Sequence, residues 1–203
     1  MTDLVFPTTP DNPKADVLIK DLIREYDSRY GQLFSKDGAR AELYRYPPEA
    51  FAPERGGYFF LIERAGETIA GGAFMRYDES TAELKRVWTR SDLRRQGLAR
   101  RVVDELEKAA VLQGYTRVFL TTGFRQPEAS GLYRNLGYRP LFDPAVPAEL
   151  YATLPFEKHI GREEGRAGSA PLRKPAASLA EAALAAAAYK ADASRNHTLA
   201  GVR

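Results

Sequence analysis

The sequence predicts a mixed α/β domain followed by a helical tail, and three observations lead to this class. Short runs at residues 58–63, 68–75 and 117–122 have the length and the aliphatic and aromatic content of strands. Residues 97–113 carry apolar side chains at helical spacing. After Gly161 the chain turns to Gly, Ser, Pro, charged residues and alanine. We therefore expect one folded unit over residues 1–160.

Strands and helices alternate within residues 1–160. Seven strands are predicted, over residues 4–6, 58–63, 68–75, 83–89, 117–122, 139–142 and 153–159. Three helices are predicted, over residues 14–30, 97–113 and 128–136. A glycine follows each helix as a stop signal, at Gly31, Gly114 and Gly137. Residues 38–56 contain three prolines and predict a loop with one helical turn.

Residues 161–203 form a separate tail in this prediction. Residues 161–177 have the composition of a flexible linker. Ser178 and Glu181 have capping-box spacing, so we expect a helix over residues 179–191. Its apolar side chains are mostly alanines, which bury little area, so this helix should dock weakly. Another interpretation makes it an assembly helix, which leaves a homodimer open.

Composition excludes several classes of site. The chain of 203 residues has no cysteine, which rules out disulfides, thiolate metal sites and a cysteine nucleophile. With two histidines we expect no metal site. The tail holds seven Lys or Arg and four acidic residues, which leaves 23 of each in residues 1–160. A neutral body gives no reason to expect a nucleic-acid partner. We see no secretion signal and no membrane span, so we expect a soluble, cytoplasmic protein.

The stretch with the most chemistry is a turn between the strand at residues 83–89 and the helix after Gly97. A helix begins with unpaired N–H groups and a positive dipole end, which suit phosphate oxygens. Gly97 lets the backbone approach a phosphate closely, and Ala99 keeps the next position small. Arg94, Arg95 and Arg100 oppose the helix dipole unless an anion is present. The plainer alternative is a loop glycine with solvated arginines.

The pattern Arg94-x-x-Gly97-x-Ala99 resembles the pyrophosphate motif of the GNAT superfamily of acetyl-CoA-dependent N-acetyltransferases. Residues 126–138 resemble its second landmark, a helix with Leu-Tyr closed by glycine and an aromatic residue. Residues 156–158 resemble its usual closing strand. The likeness covers residues 1–160 and leaves the tail unexplained. It implies a twisted, mostly antiparallel central sheet with splayed central strands, flanked by helices.

The resemblance also implies how acetyl-CoA would bind. The pantetheine arm would lie between the splayed strands and pair with backbone groups of Val87, Trp88 and Thr89. Gln126 would contact the cofactor where many members have asparagine. The diphosphate would lie on the turn made by Arg94, Arg95, Gln96, Gly97, Leu98, Ala99 and Arg100. The alternatives are ordinary strand pairing for Val87 and Thr89, and a core position for Trp88.

Acetyl transfer to an amine needs a base and an acid. A free amine has a pKa of about 10 and must lose a proton before it attacks, while the leaving thiolate gains one. By resemblance, Tyr133 is the acid and Glu83 the base. Glu83 could instead pair with Lys85 or Arg86. Other carboxylates remain open as the base: Glu63, Asp78 and Glu128. Without a cysteine, we expect direct attack in a ternary complex.

The acceptor is expected to be a primary amine of a small molecule or a protein, bound against the first helix and residues 38–56. Aromatic residues lie in this region, although core packing is the more ordinary role for most of them: Tyr30, Tyr44, Tyr46, Phe51 and Tyr58. The sequence has no dense run of acidic residues of the kind that would bind a polycationic acceptor. A second functional hypothesis is a non-catalytic module that senses CoA or acetyl-CoA.

Overall fold

The computed structural model describes residues 2–33 and 38–199, with side chains up to Tyr189. The predicted tail therefore extends beyond the described residues at positions 200–203. The strands are β1 Leu4–Pro7, β2 Tyr58–Arg64, β3 Glu67–Arg76, β4 Thr81–Thr89, β5 Arg117–Gly123, β6 Arg139–Pro140 and β7 Thr153–His159. The helices are α1 Asp16–Tyr30, α2 Gly38–Leu43, α3 Leu98–Leu112, α4 Pro127–Asn135 and α5 Leu179–Leu199.

The seven strands form one sheet in the order β1-β2-β3-β4-β5-β7-β6. Every neighbouring pair is antiparallel except β4 and β5. The hairpin of β2 and β3 turns at Ala65 and Gly66, both with positive φ, as a tight hairpin turn requires. The predicted class, a mixed α/β fold with a mostly antiparallel sheet and flanking helices, is confirmed.

Helices cover both faces of the sheet. On one face α1 buries Leu18, Ile19 and Leu22 against β2, β3 and β4, together with residues of α2. On the other face lie α3 and α4. The α3 stripe follows the 3.6-residue period, so its buried residues point to the sheet: Leu98, Val102, Val103, Leu106 and Ala110. β4 therefore lies between two hydrophobic cores, one on each face of the sheet.

The two parallel strands separate along their length. β4 and β5 pair only where Thr81–Glu83 meets Arg117–Phe119. Residues 84–89 of β4 have no partner on the β5 side, although β3 pairs on the other edge with residues 84, 85, 88 and 89. An unpaired strand edge exposes backbone N–H and C=O groups. The splay that the resemblance implies is therefore present in the sheet.

The tail is helical from Leu179 to Leu199. The segment before it, predicted as a flexible linker, runs along the body with backbone hydrogen bonds from Arg173 to Leu141 and from Ala176 to Leu150. The division into domain and tail stays a prediction. Within the described part of the chain, no helix has the length and apolar character needed to cross a bilayer.

Candidate active site

The turn between β4 and α3, residues 94–100, is called the phosphate turn below. Arg95 and Gly97 both have left-handed backbones, with φ of 62° and 81°. The first N–H with an acceptor in α3 belongs to Arg101, which donates to the Gly97 carbonyl at 3.0 Å. Among the described residues, the amides of 95–100 make no hydrogen bond to the protein. These amides are donors ready for an anion.

The surroundings of the phosphate turn leave room for a ligand. A Cβ added to Gly97 would meet nothing within 4 Å, and residues 94–97 are exposed. Arg95 and Arg100 are exposed as well. The Arg94 guanidinium pairs with Glu25 of α1 at 2.6 Å. The residues present therefore fit a diphosphate, with the charge of Arg94 shared.

The unpaired edge of β4 leads from the phosphate turn into a cleft. Val87 lines this cleft, while the Trp88 side chain is 3% exposed in the core beneath α1. Thr89 pairs with Ala70 of β3. Trp88 thus takes the core position considered above, and its role in cofactor binding is limited to its backbone. The contacts of Val87, Trp88 and Thr89 with pantetheine stay predictions.

A bulge interrupts β4 within the cleft. The register with β3 shifts between Gly71 and Ala73, and Arg86 has a φ of 56°. Such a bulge turns backbone groups out of the ladder. The Arg86 guanidinium donates to the Leu43 carbonyl and lies 4.3 Å from the centre of the Phe51 ring. Burial lowers the pKa of Arg86 to about 10. Arg86 therefore anchors α2 to the bulge.

Tyr133 of α4 lies in the cleft, on the α4 side of the gap between β4 and β5. Its side chain is 7% exposed, and its ring packs on Tyr138 and Phe156 with centroids 5.5 and 5.9 Å away. Burial raises the pKa of Tyr133 above its usual range, so the hydroxyl stays protonated at neutral pH. A protonated hydroxyl in this place can donate to a leaving group.

Glu83 lies where β4 and β5 part, and its side chain is buried. Its Oε1 accepts a hydrogen bond from Lys85 Nζ at 2.7 Å. Burial works against the charge of Lys85, but Glu83, together with Tyr46 and Glu42, outweighs burial and raises the pKa of Lys85. Lys85 lines the cleft and Glu83 does not. The ion pair that the sequence left open is therefore present, and the role of Glu83 as base stays a prediction.

The other carboxylates considered as bases lie outside the cleft lining. Glu63 pairs with Lys14 at 2.7 Å, and Asp78 accepts from the Ser80 backbone at 2.9 Å. Glu128 pairs with Arg29 of α1. Each carboxylate has a structural partner away from Tyr133. Within the described residues, no cluster of three or more His, Asp or Glu side chains could hold a metal.

Gln126 immediately precedes α4 and lines the cleft. Its Oε1 accepts from the Gly123 backbone at 3.1 Å and from Thr122 Oγ1 at 3.3 Å. These bonds orient the side-chain amide at the end of β5. The contact of Gln126 with the cofactor stays a prediction.

The structure adds cleft residues that the sequence did not single out. Tyr26 of α1 is partly buried; desolvation raises its pKa, and the Glu42 and Tyr133 side chains contribute to the same shift. Glu42 lines the cleft beside them and pairs with Arg45 at 2.8 Å. Tyr26 lies in the first predicted helix, over residues 14–30, and Glu42 lies in the predicted loop over residues 38–56. Neither has a local sequence signal that separates it from an ordinary surface or core residue.

The aromatic residues expected near the acceptor divide into two groups. Tyr30, Tyr46 and Phe51 line the cleft. Tyr44 is 59% exposed outside it, and Tyr58 packs in the other core against Phe60 and Phe74. Residues of the predicted loop over positions 38–56 therefore supply one wall of the cleft, and binding of the acceptor there stays a prediction.

Known proteins resemble the chain in sequence. A model of the acetyltransferase (GNAT) family matches residues 19–138, more than half of the chain. Human N-acetyltransferase 8 is 30% identical over 96 residues, which are 45% of this chain and 42% of the human protein. The uncharacterized N-acetyltransferase YjgM of Escherichia coli is 27% identical over 139 residues, 64% of this chain and 78% of that protein. The chain thus spans less than half of the human relative.

Solved structures share the fold. A GNAT-family acetyltransferase from Staphylococcus aureus superposes with a TM-score of 0.61 at 15% identity, covering 79% of this chain and 100% of that one. A GNAT-family acetyltransferase from Elizabethkingia anophelis, solved with acetyl-CoA bound, gives 0.54 at 16% identity, covering 78% and 98%. The family match includes the phosphate turn, the parted strands and Tyr133. By these residues and this fold the chain belongs to the GNAT family of acetyltransferases.

Proposed function

We propose that this protein transfers the acetyl group of acetyl-CoA to a primary amine by direct attack in a ternary complex. One observation carries the proposal: the unpaired edge of β4 runs from the free amides of the phosphate turn into the cleft that Tyr133 lines. The cleft also reaches α1 and α2 on the opposite face of the sheet, where an acceptor could enter. Both substrates could therefore meet beside the bulge at Arg86.

The chain would hold acetyl-CoA with backbone groups more than with side chains. The amides of residues 95–100 would bind the diphosphate, and the open edge of β4 near Val87 would pair with the pantetheine amides. Bound acetyl-CoA would supply an activated thioester. A backbone N–H turned out of the ladder by the bulge at Arg86 could stabilise the developing oxyanion.

Tyr133 would act as the general acid. As the amine nitrogen bonds to the carbonyl carbon, the carbon–sulfur bond breaks and the sulfur takes the proton of the Tyr133 hydroxyl. The raised pKa of Tyr133 keeps this proton in place at neutral pH. A positioned acid of this kind contributes about 100-fold or more to the rate.

A carboxylate would take the proton of the amine. Glu83 remains our proposed base, acting beside its ion pair with Lys85. Glu42 is the second candidate, because it lies in the cleft lining with Tyr26 and Tyr133 as neighbours. No covalent acetyl-cysteine can form, since the chain has no cysteine.

The test is release of CoA thiol from acetyl-CoA in the presence of a panel of primary amines. Tyr133→Phe should lower kcat about 100-fold and leave the acetyl-CoA affinity unchanged. Tyr44→Phe is the matched control, because Tyr44 is exposed outside the cleft and should behave as wild type. Acetyl-CoA binding without turnover of any amine would support a sensor and contradict the transferase.

A further inference from the structure

The tail lies outside the part of the chain that the family shares. The family match ends at residue 138, and the S. aureus structure is covered completely while 79% of this chain is matched. The residues after Gly161 make up about a fifth of the chain, the same share that the superposition leaves over. The tail therefore lies outside the family match, and its contacts are read from this chain alone.

The segment before α5 is tied to the strand that borders the cleft. Arg173 donates from its backbone to the Leu141 carbonyl at 2.7 Å. Its guanidinium donates to Thr153 twice, to the carbonyl oxygen at 2.8 Å and to Oγ1 at 2.9 Å. Thr153 itself lines the cleft. These bonds direct the chain toward the cleft before the helix begins.

The start of α5 is fixed by a capping box and by small side chains. The Glu181 backbone donates to Ser178 Oγ at 3.2 Å, and the Glu181 carboxylate accepts from the Ala177 backbone at 3.0 Å. Ala182 and Ala186 are buried and pack against Ala152, next to β7. Because alanines are short, the helix lies close to the body. This places the next turn of the same face over the cleft.

That turn carries Tyr189, which lines the cleft with Tyr46 and Lys85. Its hydroxyl oxygen is buried, and burial together with the nearby Glu83 and Tyr77 raises its pKa. The Arg173 guanidinium lies 5.9 Å from the centre of the Tyr189 ring. The tyrosine is thus held beside the ion pair of Glu83 and Lys85, at the point where β4 and β5 part.

We propose that α5 closes the acceptor side of the cleft, and that Tyr189 limits acceptors to small primary amines. This inference rests on the function proposed above. α1 and α2 form one side of the cleft and α5 forms the other. These walls block the path by which a lysine of a folded protein would reach the thioester. An amine on a small molecule needs no such opening. Tyr189 is therefore a specificity-determining residue supplied from outside the shared fold.

The experiment compares wild type with Tyr189→Ala and with the control Leu184→Ala. Leu184 lies on the same helix and is 74% exposed, so its truncation changes the helix without opening the cleft. Acetyl-CoA affinity is measured by titration calorimetry, and CoA-thiol release is measured with amines of increasing size, ending with lysine-containing peptides. Release without any amine is recorded as well, since an opened cleft admits water.

We expect equal acetyl-CoA affinity in all three proteins. Tyr189→Ala should raise kcat/KM for peptides relative to small amines at least 10-fold, or raise amine-free thiol release by a similar factor, while Leu184→Ala matches wild type. Unchanged selectivity and unchanged amine-free release in Tyr189→Ala would overturn the inference. So would peptide acetylation by wild type at the rate of small amines. Failure of wild type to bind acetyl-CoA would instead refute the proposed function.

Discussion

Replacement of Gly97 by aspartate should weaken acetyl-CoA binding about 100-fold and leave the fold intact. Gly97 has a φ of 81°, and a Cβ there would meet nothing within 4 Å. The substitution therefore introduces backbone strain of about 1 kcal/mol and no clash. A carboxylate beside the first turn of a helix recovers about 0.3–1 kcal/mol from the macrodipole. The free energy of unfolding should change by less than about 1 kcal/mol.

The effect on binding should be much larger. A like-charge contact at ~5 Å costs ~3 kcal/mol at an effective dielectric of ~20, and solvent at this exposed turn reduces it. Because a diphosphate carries two negative charges, the total repulsion from the aspartate is again ~3 kcal/mol, which corresponds to roughly a 100-fold loss of affinity. Titration calorimetry of acetyl-CoA measures this loss, and thermal unfolding measures the stability.

Gly66 provides a matched control. It lies in the turn between β2 and β3 with a φ of 82°, and a Cβ there also meets nothing within 4 Å. Gly66→Asp should show the same backbone strain and bind acetyl-CoA as wild type does. If Gly97→Asp keeps wild-type affinity, or if Gly66→Asp loses as much, the phosphate turn does not hold the diphosphate.

Three further predictions concern charged side chains. Glu83→Gln and Glu42→Gln separate the two candidate bases. The variant that lacks the true base should have a kcat about 100-fold lower and a pH–rate profile without its acidic limb, whereas the other variant should keep that limb. Lys85→Met leaves the Glu83 carboxylate buried without its partner and should lower the free energy of unfolding by about 3–5 kcal/mol. The double variant with Glu83→Gln should recover most of this loss. Urea unfolding measures both effects. The hydrogen bond from Arg64 lowers the pKa of Asp3, so the stabilisation from this pair is present above pH ~4 and is lost as the pH falls. Asp3→Asn should therefore lower the free energy of unfolding by about 1 kcal/mol at pH 7 and by less at pH 3. An equal loss at both pH values would contradict this prediction.

Features that depend on local sequence could be predicted. The start of α3 at Leu98 follows from a glycine before an apolar stripe, and the β2–β3 hairpin follows from Ala65-Gly66 between two apolar runs. The phosphate turn belongs to this class, because its free amides arise from a strand, a tight turn and a helix start that are adjacent in the chain. The parting of β4 from β5 was predicted only through resemblance.

Features that depend on distant contacts could not be predicted. Arg94 meets Glu25 across 69 positions, and no pattern around either residue indicates the pair. Glu42 and Tyr26 reach the cleft because α1 and α2 pack on the same core. Tyr189 was hidden in an alanine-rich stretch, and it reaches the cleft because Ala182 and Ala186 dock on Ala152. The positions of these side chains are set by tertiary packing rather than by residue type.

The most direct test of this account is a map of backbone amide shifts in ¹⁵N-labelled protein as CoA is added. The central claim is that the amides of residues 95–100 receive the diphosphate. We expect the largest shifts at Arg95, Gly97 and Ala99, with further shifts at Val87 on the open edge of β4. Saturable binding that leaves the phosphate turn unshifted and moves amides elsewhere would contradict the claim.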